Sequence, residues 1–385
     1  MEIAVGMVGG GPGSFIGDTH RRALRYDGRF KFQAGAFTRS VETNDEFGGT
    51  LGIDAARRYG SWRDLLAEEV QRDDGIEAVI IATPNDTHHE IAAAALDAGL
   101  HVMCDKPVAV SLRQALDLRD RQRRTGRVFA LTHNYTGYAM VRQARQMVRD
   151  GALGEIRIVR VEFAQGWASA PLERSGHKQA EWRMDPVRVG PSAVLMDLGT
   201  HAHHLMRFIT GCEVEALCTD LRSFVPGRAT SDDAHLLMRL TGGVSGQLWA
   251  SMVANGNGHG LRLGVYGDAG SLAWKQEIPN RLIYRREGEP DRVLSKGNDY
   301  LSEASRAASR VGGGHPGGFI EAFANLYREF ADAIEASKRG ETSADGPWLF
   351  PTVDDGVAGL AFVEAAIRSH QDSGNWISLN GEGDA

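Results

Sequence analysis

The sequence predicts an α/β protein, with an N-terminal doubly wound parallel sheet and a C-terminal α+β domain built on a large, mostly antiparallel open sheet. Up to about residue 150, short apolar runs alternate with segments of helical periodicity, the order that forms a parallel sheet with right-handed crossovers. Beyond that point longer alternating runs follow one another, which favours antiparallel strands with one face against helices. A chain of 385 residues also exceeds what one hydrophobic core usually serves. We therefore expect one domain over residues 1–135 and a second over 136–385.

The first domain is predicted element by element from its apolar runs. The run at 3–8 is a strand, and the glycines after it lead into a helix that begins near Phe15. Ser61 and Ser111 stand where helix N-caps stand, and Gly99 stands where a helix ends. The remaining strands of this domain are predicted at 30–37, 77–83, 100–104 and 127–134.

The second domain begins with a long alternating strand at 155–165. Residues 234–253 are typical of a hairpin with Gly242 and Gly243 at its turn, and residues 261–276 are typical of another. Two helices close the chain, at 318–337 and 353–371, and the glycine-rich stretch before them, 311–318, is the best candidate for a mobile loop.

Composition and charge exclude several classes of partner. The chain has 43 basic and 50 acidic side chains, net −7, which argues against nucleic acid or an anionic membrane as the main partner. Three scattered cysteines give neither a disulfide framework nor a paired metal motif, so we expect a reducing, cytoplasmic location. No signal peptide precedes the first strand, and no apolar run approaches the length of a membrane span.

The glycine loop after the first strand, GGGPGSFIG at 9–17, is the strongest cofactor signal. Dinucleotide-binding loops follow the pattern G-x-G-x-x-G between a strand and a helix, because glycines let the backbone approach the pyrophosphate. Gly9 and Gly11 fit this pattern, whereas the third glycine, Gly17, comes three residues late. The loop therefore predicts dinucleotide binding with an enlarged loop, and a plain flexible turn is the alternative.

Two further loops follow strands of the first domain. The second strand ends in Thr38-Arg39-Ser40 and lacks the acidic residue that usually binds the ribose of NAD. Arg39 could bind the 2′-phosphate of NADP, or it could stack on the adenine of NAD. At 84–85, Pro84 and Asn85 make a turn at the carboxyl end of the sheet, where such folds bind ligands, although a turn that only caps the next helix explains them equally well.

A second cluster of polar residues occupies 190–208. Asp197 and His201 are four residues apart and share a face if this stretch is helical. A carboxylate beside an imidazole orients it and raises its pKa, which is a common design for a general base. His203 and His204 make a metal site conceivable, but no Cys or acidic ligand has the spacing for one. A surface helix with satisfied histidines is the structural alternative.

Together these stretches resemble the Gfo/Idh/MocA family of glucose–fructose oxidoreductase and inositol dehydrogenase. AGLHVMCDKP at 98–107 is similar to the family's E-K-P motif with Asp105 in place of Glu, and DLGTH at 197–201 is similar to its D-x-G-x-H motif. His204 stands where the family often has Asp. The resemblance implies a Rossmann domain, a C-terminal α/β domain with an open sheet, dimers or tetramers, and reversible hydride transfer between a sugar or cyclitol and nicotinamide.

The resemblance also implies the role of the three catalytic residues. Lys106 would stand between nicotinamide and substrate, on a backbone that Pro107 keeps extended, and would stabilise the negative charge that develops on the alcohol oxygen. His201 would take the hydroxyl proton, and Asp197 would orient the base and the substrate. Without the 197–201 pair, Lys106 would be interpreted as a solvated lysine after a strand.

The remaining candidates are binding residues. We assign cofactor binding to the glycine loop, the three strand ends and the start of the following helix: Gly9, Gly11, Pro12, Gly13, Ser14, Phe15, Ile16, Thr38, Arg39, Ser40, Thr83, Pro84, Asn85, His88, Asp105 and Lys106. We assign substrate binding to the catalytic trio and to aromatic, histidine and arginine side chains in nearby loops: Lys106, His133, Tyr135, Trp167, Trp182, Arg183, Asp197, His201 and His315. Tyr138 is a further candidate, and each tryptophan has core packing as its alternative.

The wider pattern looks like the subgroup of scyllo-inositol and L-glucose dehydrogenases, which are NAD-linked, so we expect NAD as the cofactor and NADP as the alternative. The predicted function is oxidation of a secondary or anomeric hydroxyl of a cyclitol or unphosphorylated sugar. Two alternatives are a glycoside 3-dehydrogenase of the same family and a catalytically silent nucleotide-binding regulator. Intact Lys106, Asp197 and His201 argue against the regulator.

Overall fold

The contacts within the chain divide it into two units. The computed structural model describes residues 2–341, 346 and 348–379. The first unit runs to Asn134 and includes Phe319–Val357, and the second comprises Tyr135–Gly318 and the chain from Ala358. The first boundary lies one residue from the predicted position, but Phe319–Val357 lies in the first unit, whereas we had placed it in the second domain.

The first unit alternates strands and helices, as its apolar runs predict. In chain order its elements are β1 Ile3–Gly9, α1 Phe15–Arg25, β2 Phe30–Ala36, α2 Val41–Thr50, α3 Trp62–Glu69, β3 Ala78–Ala82, α4 His88–Asp97, β4 His101–Cys104, α5 Leu112–Thr125 and β5 Phe129–Leu131. Ser61 and Ser111 cap α3 and α5, accepting backbone N–H groups three residues on at 3.2 and 3.3 Å, and Gly99 follows α4 at φ +80°. These caps confirm the predicted helix ends.

The sheet of the first unit is parallel, with strand order β2-β1-β3-β4-β5. The order reverses direction between β1 and β3, and ligands of open α/β sheets bind in the crevice at such a switch point, beyond the carboxyl ends of the strands. The glycine loop follows β1, and the turn at 83–85 follows β3. The topology therefore places both predicted cofactor loops at the edge where a nucleotide is expected.

The second unit contains most of the later elements. They are α6 Ala139–Arg149, β6 Ile156–Ala164, α7 Lys178–Arg183, α8 Pro186–Val189, α9 Thr200–Thr210, β7 Val214–Arg222, β8 Asp233–Leu240, β9 Val244–Ser251, β10 Leu261–Gly267, β11 Ser271–Lys275, β12 Arg281–Arg285, β13 Arg292–Ser295 and α10 Glu303–Ala307. Then α11 Phe319–Lys338 lies in the first unit, α12 Val353–Gln371 runs from the first unit into the second, and β14 Ile377–Ser378 ends the described elements.

α11 belongs to the first unit because its apolar residues join the core of the parallel sheet. Phe323, Tyr327 and Phe330 are buried in one cluster with Ile3 and Phe30. The rings of Phe30 and Phe330 stack with centroids 6.1 Å apart. A long-range contact of this kind leaves no local pattern in the sequence, which is why the predicted division missed it.

The second sheet has nine strands in the order β13-β12-β11-β10-β6-β9-β8-β7-β14. Only the β6–β9 pair is parallel, so the sheet is mostly antiparallel, as predicted. Both predicted hairpins are present, β8–β9 and β10–β11, and Gly242 and Gly243 form the first turn with φ of +77° and +75°. The fold class predicted from the sequence is confirmed.

One face of the nine-stranded sheet is open. The other face is packed, since Val159, Leu236 and Val265 are all buried. On the open face four large apolar side chains are exposed, at 44, 50, 41 and 52% of their surface: Ile158, Leu237, Tyr266 and Val293. The register confirms that they share this face, since Ile158 pairs with Tyr266 across the β6–β10 ladder. Within the described residues no helix is both long and apolar enough to cross a membrane.

Candidate active site

The glycine loop fits a dinucleotide because backbone approaches backbone there. A Cβ atom added at Gly17 would lie 2.3 Å from the Cα of Gly10, so α1 can reach the end of β1 only with glycine at this position. Close contact between helix and strand is the role of the third glycine in dinucleotide loops. Gly17 therefore takes the role of the third glycine, although it lies three residues further along the chain than the pattern requires.

The loop around these glycines is open on its outer side. Pro12 and Gly13 are exposed, and no atom lies within 4 Å of a Cβ added at Gly13. Ser14 caps α1 by accepting the backbone N–H of Gly17 at 3.1 Å. Phe15 exposes 70% of its surface and Ile16 is half-buried. Gly9, at φ +81°, could carry no side chain, because a Cβ would lie 2.4 Å from the carbonyl oxygen of Ala82.

The end of β2 is organised by Asn44. Its side-chain oxygen accepts the backbone N–H of Thr38 at 2.7 Å and the Thr38 hydroxyl at 3.0 Å. Ser40 caps α2 by accepting the N–H of Thr43 at 3.1 Å. Arg39 lies between them and is exposed, so its guanidinium is presented to solvent. Thr38, Arg39 and Ser40 therefore lie in one loop that is ordered by hydrogen bonds. Asn44, which makes several of these bonds, was not identified in our sequence analysis.

The turn after β3 is tied to the turn after β4 by His88. Thr83 and Pro84 are half-buried, and Asn85 and His88 are buried. The His88 ring has its Nε2 2.9 Å from the carbonyl oxygen of Thr83 and its Nδ1 2.7 Å from the carbonyl oxygen of Pro107. Both ring nitrogens are thus engaged with backbone.

Lys106 stands on a turn that hydrogen bonds support on several sides. Asp105 accepts the backbone N–H of Lys106 at 3.0 Å and the hydroxyl of Thr132 at 2.5 Å. The backbone N–H of Asp105 donates to Ile81 on the neighbouring strand at 2.9 Å. The Lys106–Pro107 peptide bond is cis, which the sequence did not predict. Lys106 itself is half-buried.

In the second unit, Asp197 lies in a π-helical turn, Leu195–Gly199, which runs directly into α9. We had expected an ordinary helix here. Isolated π turns are rare and frequently mark functional sites, because the wider turn redirects a side chain. Arg183 reaches the same carboxylate, with its Nε 3.5 Å from the carboxylate oxygen of Asp197. The guanidinium of Arg183 also stacks on the Trp182 ring, 4.3 Å from its centroid.

His201 is buried in a group of aromatic and polar rings. Tyr135 meets it edge to face, with ring centroids 4.7 Å apart, and Phe163 lies 6.0 Å away. His259 completes the group, stacking on Phe163 at 4.9 Å, with its Nε2 2.9 Å from the hydroxyl of Tyr135. We did not predict His259. The only signal was a histidine in the loop NGNGHG, 58 residues after His201 in the chain.

The fold sets the charge of this group. Burial raises the pKa of Tyr135 well above its ordinary value, and the nearby charges of Tyr138 and Asp197 add to the shift. Burial lowers the pKa of His259 to about 4, although the charge of Glu277 opposes the shift. Near neutral pH both side chains are therefore uncharged, and their shared hydrogen bond joins a phenol to a neutral imidazole.

The remaining predicted substrate residues are more scattered. Trp167 and Trp182 are half-buried in the segment between β6 and the π turn. Tyr138 stacks on Tyr135 with centroids 6.5 Å apart. His133 is buried in the first unit, and His315 is exposed in the glycine-rich loop of the second. The structure therefore groups Tyr135, Tyr138 and His201 through the ring of Tyr135, and the role of His315 stays a prediction.

The glycine-rich loop at 311–318 is attached near both ends. The ammonium of Lys296 donates to the carbonyl of Val311 at 3.0 Å. The side chain of Asn280 donates to the carbonyl of Gly317 at 3.0 Å and accepts the Gly317 N–H at 3.2 Å. Between these points the loop is exposed and has no regular secondary structure. Its predicted mobility stays a prediction.

The segment that carries Trp182 and Arg183 is anchored by a buried ion cluster. Arg228 and Asp232 are fully buried and paired at 3.0 Å, and Arg228 also pairs with Glu173 at 3.1 Å. Asp232 accepts two backbone N–H groups, and Arg228 donates to the carbonyl of Ala170. Breaking such a cluster leaves an uncompensated buried charge, so it holds the segment firmly.

The histidines of α9 are engaged with aromatic rings. His203 stacks on Phe362 at 4.4 Å, and His204 stacks on Phe208 at 6.2 Å. In the part of the chain that the structure describes, no three His, Cys, Asp or Glu side chains gather as metal ligands would.

Comparison with known proteins decides the family. The oxidoreductase family model with an NAD-binding Rossmann fold matches residues 3–144, and the GFO/IDH/MocA C-terminal domain matches residues 141–273. An uncharacterized oxidoreductase of Bacillus subtilis (strain 168), YfiI, is 37% identical over 376 residues, which are 97% of this chain and 96% of the relative. The chain belongs to the Gfo/Idh/MocA family of oxidoreductases.

Solved structures of relatives agree with this Gfo/Idh/MocA oxidoreductase along nearly the whole chain. An inositol dehydrogenase homolog from Azotobacter vinelandii in complex with NAD+ has 41% identity and a TM-score of 0.96, covering 98% of this chain and 97% of that one. The same homolog complexed with NADH and myo-inositol has 40% identity and a TM-score of 0.93, covering 98% of both chains. Levoglucosan dehydrogenase of Pseudarthrobacter phenanthrenivorans is 26% identical and covers 98% of both sequences.

These findings confirm the predicted family, the Rossmann domain and NAD as the cofactor. The loop geometry fits that cofactor, because the close contact of Gly10 with Gly17 brings the N-terminus of α1 to the end of β1, where a pyrophosphate binds in such folds. Residues 9–16 and the ends of β2, β3 and β4 would hold it. Bound NAD supplies a hydride acceptor.

Proposed function

We propose that this oxidoreductase is an NAD-dependent dehydrogenase of a cyclitol or an unphosphorylated sugar, of the scyllo-inositol or L-glucose type. The observation that carries the proposal is the buried group around His201, in which Tyr135 and Phe163 meet the imidazole and His259 contacts both of those rings. Aromatic faces with a few polar atoms suit the apolar ring face and the hydroxyl groups of a polyol. The Azotobacter relative solved with myo-inositol supports the same class of substrate.

The charge near Asp197 favours an uncharged substrate. Arg183 lies beside this carboxylate, with its Nε 3.5 Å from the oxygen of Asp197, so the two opposite charges offset each other. A sugar phosphate is usually bound by an arginine or lysine in addition to the one that serves the reacting oxygen, and the charge of Arg183 is already offset by Asp197. We therefore favour a free polyol over a phosphorylated sugar.

We assign the proton transfer to Lys106, Asp197 and His201. In the oxidative direction His201 takes the proton of the substrate hydroxyl as a general base. The ammonium of Lys106 stabilises the negative charge that develops on the oxygen, and it is preorganised because its turn is fixed by Asp105 and His88. Asp197 orients His201, while Arg183 holds the carboxylate of Asp197 in place.

The same chemistry would serve oxidation at C3 of a glucoside, so the substrate must be settled by assay. Purified protein is incubated with NAD or NADP and a panel of inositols, free aldoses and glucosides, and formation of reduced nicotinamide is followed by its absorbance. We expect reduction of NAD with a cyclitol or an aldose, and loss of that activity in Lys106→Ala and His201→Ala. Turnover of glucosides alone would replace the proposal with a glycoside 3-dehydrogenase. Cofactor binding without turnover of any compound would favour a silent regulator.

We also propose that the protein forms dimers or tetramers through the open face of its nine-stranded sheet. The exposed apolar side chains of that face, Ile158, Leu237, Tyr266 and Val293, are the kind of surface that marks a protein interface. A cavity of about 550 Å³ opens on the same face and is lined in part by Arg160, His235 and Trp249. No predicted catalytic residue lines it, so we do not assign it to the substrate. Three free thiols support a reducing, cytoplasmic location.

A further inference from the structure

His88 is an unusual histidine, because both of its ring nitrogens face backbone carbonyls. It is the first residue of α4 and is completely buried. Its Nδ1 lies 2.7 Å from the Pro107 oxygen, and its Nε2 lies 2.9 Å from the Thr83 oxygen. Both distances are those of ordinary hydrogen bonds.

A carbonyl oxygen only accepts hydrogen bonds, so each nitrogen of His88 must donate one. A neutral imidazole has a single N–H and presents a lone pair at its other nitrogen. A neutral His88 would therefore set a lone pair against a carbonyl oxygen at one of the two contacts. Only the imidazolium form, with an N–H at each nitrogen, satisfies both.

Two effects oppose a cation at this position, namely burial and the positive end of the α4 dipole. Against them stand two charge-assisted hydrogen bonds, each stronger than the effect of one helix terminus. Asp105 supplies a carboxylate on the same turn as Pro107, two residues before it. Its oxygen accepts the backbone N–H of Lys106 and the hydroxyl of Thr132, and these two hydrogen bonds fix the carboxyl group on the turn.

The two carbonyls that His88 joins belong to the turns after β3 and β4, which carry predicted cofactor residues and Lys106. Thr83 directly follows β3, and Pro107 directly follows Lys106, beyond β4. β3 and β4 are neighbours in the sheet, paired from Ala78 to Ile81. A ring that holds both carbonyls fixes the spacing between the turns, and hence the backbone from which Lys106 projects.

We propose that His88 is a buried imidazolium that positions Lys106, and that it does not contact the cofactor as we had expected from the sequence. It is a positioning residue, because it acts through the carbonyl of Pro107. The inference rests on the proposed function only in taking Lys106 as a group of the active site. The protonation state of His88 can be measured whatever the substrate proves to be.

The first test measures that protonation state directly. Protein labelled with ¹⁵N-histidine, as the full-length enzyme at pH 7.5, is compared with His88→Gln to assign the His88 signals in a long-range ¹H–¹⁵N spectrum. We expect both ring nitrogens of His88 at the shift of a protonated imidazolium, each with an N–H that exchanges slowly with solvent. One nitrogen at the shift of an unprotonated imidazole would overturn the proposal.

The second test separates positioning from cofactor contact. NADH affinity is titrated by fluorescence, and kcat and KM are measured with the substrate that the panel identifies. For His88→Gln we expect kcat to fall at least about tenfold, with NADH affinity and KM changed less than about threefold, because only the placement of Lys106 is lost. The matched control is His89→Gln, since His89 is the next residue on α4 and pairs with Asp117 at 2.8 Å on the surface. It should behave as wild type.

The outcomes distinguish this proposal from the proposed function. A large loss of NADH affinity in His88→Gln with kcat retained would make His88 a cofactor contact and would overturn the inference. If no compound in the panel is oxidised, the proposed substrate class fails. The NMR signature and the NADH titration would still decide the inference about His88.

Discussion

Among single residues, two neighbours of His201 keep fixed protonation states near neutral pH. Tyr135 is held neutral by a raised pKa, and His259 is held neutral by a pKa of about 4. Because these two neighbours keep their protonation states, the proton that leaves a substrate hydroxyl falls to His201 in the proposed mechanism. Tyr135 and His259 then act as a fixed hydrogen-bonded support.

This support can be tested with matched tyrosine variants. Tyr135→Phe removes the hydroxyl that bonds to His259 and keeps the ring against His201. We expect kcat/KM to fall by about three- to tenfold, since one hydrogen bond is worth about 1 kcal/mol. Tyr138→Phe is the control, because the hydroxyl of Tyr138 accepts a longer bond, 3.4 Å from the side-chain nitrogen of Gln276, and no bond between it and His259 is seen in the described residues. Equal losses in both variants would count against a special role for Tyr135.

Arg183 gives a second prediction at this scale. Its guanidinium both pairs with Asp197 and stacks on Trp182. Arg183→Met removes the charge, and we expect kcat/KM to fall about tenfold, or about 1.4 kcal/mol, because the guanidinium no longer helps to hold the carboxylate of Asp197 in place. Arg183→Lys should recover part of the loss because it restores the charge without the planar fork.

The measurement is steady-state kinetics at saturating NAD, with thermal melting to verify folding. Arg174→Gln is the control, since Arg174 is an exposed arginine nearby that donates only to the carbonyls of Pro226 and Gly227. Wild-type kinetics in Arg183→Met would exclude the pair from the mechanism.

At the scale of elements, the contact between α1 and the end of β1 decides whether the nucleotide loop forms. In Gly17→Ala a Cβ would lie 2.3 Å from the Cα of Gly10, so α1 must move away. We expect NADH affinity to fall at least about tenfold, because the loop amides leave the position that a pyrophosphate needs. Isothermal titration measures it.

Gly13→Ala is the control for this prediction. Gly13 has φ +75°, so alanine there costs about 1–2 kcal/mol of backbone strain, yet its Cβ meets no atom within 4 Å. Stability should fall slightly in this variant, and NADH affinity should change less than in Gly17→Ala. The reverse order would show that loop strain, rather than the approach of helix and strand, governs binding.

For the whole molecule, buried histidines make stability depend on pH. Burial lowers the pKa of His20 and of His101 to about 4, below the ordinary value of 6.5. As pH falls below about 6.5, the unfolded chain takes up protons there while the folded protein does not, so stability is lost between pH 6.5 and 4. Each histidine contributes up to about 3 kcal/mol to this loss.

Melting temperatures at pH 7.5 and pH 5 test this expectation. His101→Asn keeps an acceptor for the backbone N–H of Val128, which His101 Nδ1 accepts at 2.9 Å, but it does not titrate. His20→Asn likewise keeps a partner for the hydroxyl of Tyr327, 2.6 Å away. We expect a smaller drop in melting temperature at pH 5 for each variant than for wild type. An unchanged drop would assign the acid sensitivity to other groups.

The proposed oligomer interface on the open sheet face can be tested by a charged substitution. Leu237→Arg places a charge in the middle of the proposed interface, on β8. We expect wild type to elute as a multiple of 41.8 kDa in light scattering and Leu237→Arg to shift towards the monomer. Val70→Arg, at an exposed apolar residue outside this sheet, should leave the mass unchanged. A wild-type monomer would overturn the proposal.

Structural features that are determined by residues close together in the sequence could be predicted from it. The caps at Ser61 and Ser111, the hairpin turn at Gly242-Gly243 and the glycine loop all follow from short patterns, and the structure contains them. Contacts between distant segments were not predictable in this way. His259 contacts Tyr135 although the two residues are 124 positions apart in the sequence, and no pattern near either residue predicts this contact.

The candidate site shows the same division. The catalytic roles of Lys106, Asp197 and His201 could be proposed from the sequence and stay predictions, whereas the π turn under Asp197 and the pairing with Arg183 had no signal in the sequence. The π turn is selected over an ordinary α-helical turn by tertiary packing, which a local sequence pattern does not contain. The ion pair forms where two separate chain segments meet in the folded structure. The assignment of His88 to the cofactor stays a prediction, and its contacts with the carbonyls of Thr83 and Pro107, which the sequence did not indicate, are what favour a positioning role instead.

The return of α11 to the first unit has a consequence for synthesis on the ribosome. The Rossmann sheet is complete once Leu131 has been made, but its core lacks Phe323, Tyr327 and Phe330 until α11 emerges. At about 5–20 residues per second, the roughly 200 intervening residues delay that emergence by about 10–40 s. During this interval the nascent nucleotide domain exposes the apolar surface that α11 later covers. The core of the N-terminal domain is therefore completed only after α11, near the C-terminal end of the sequence, has been synthesised.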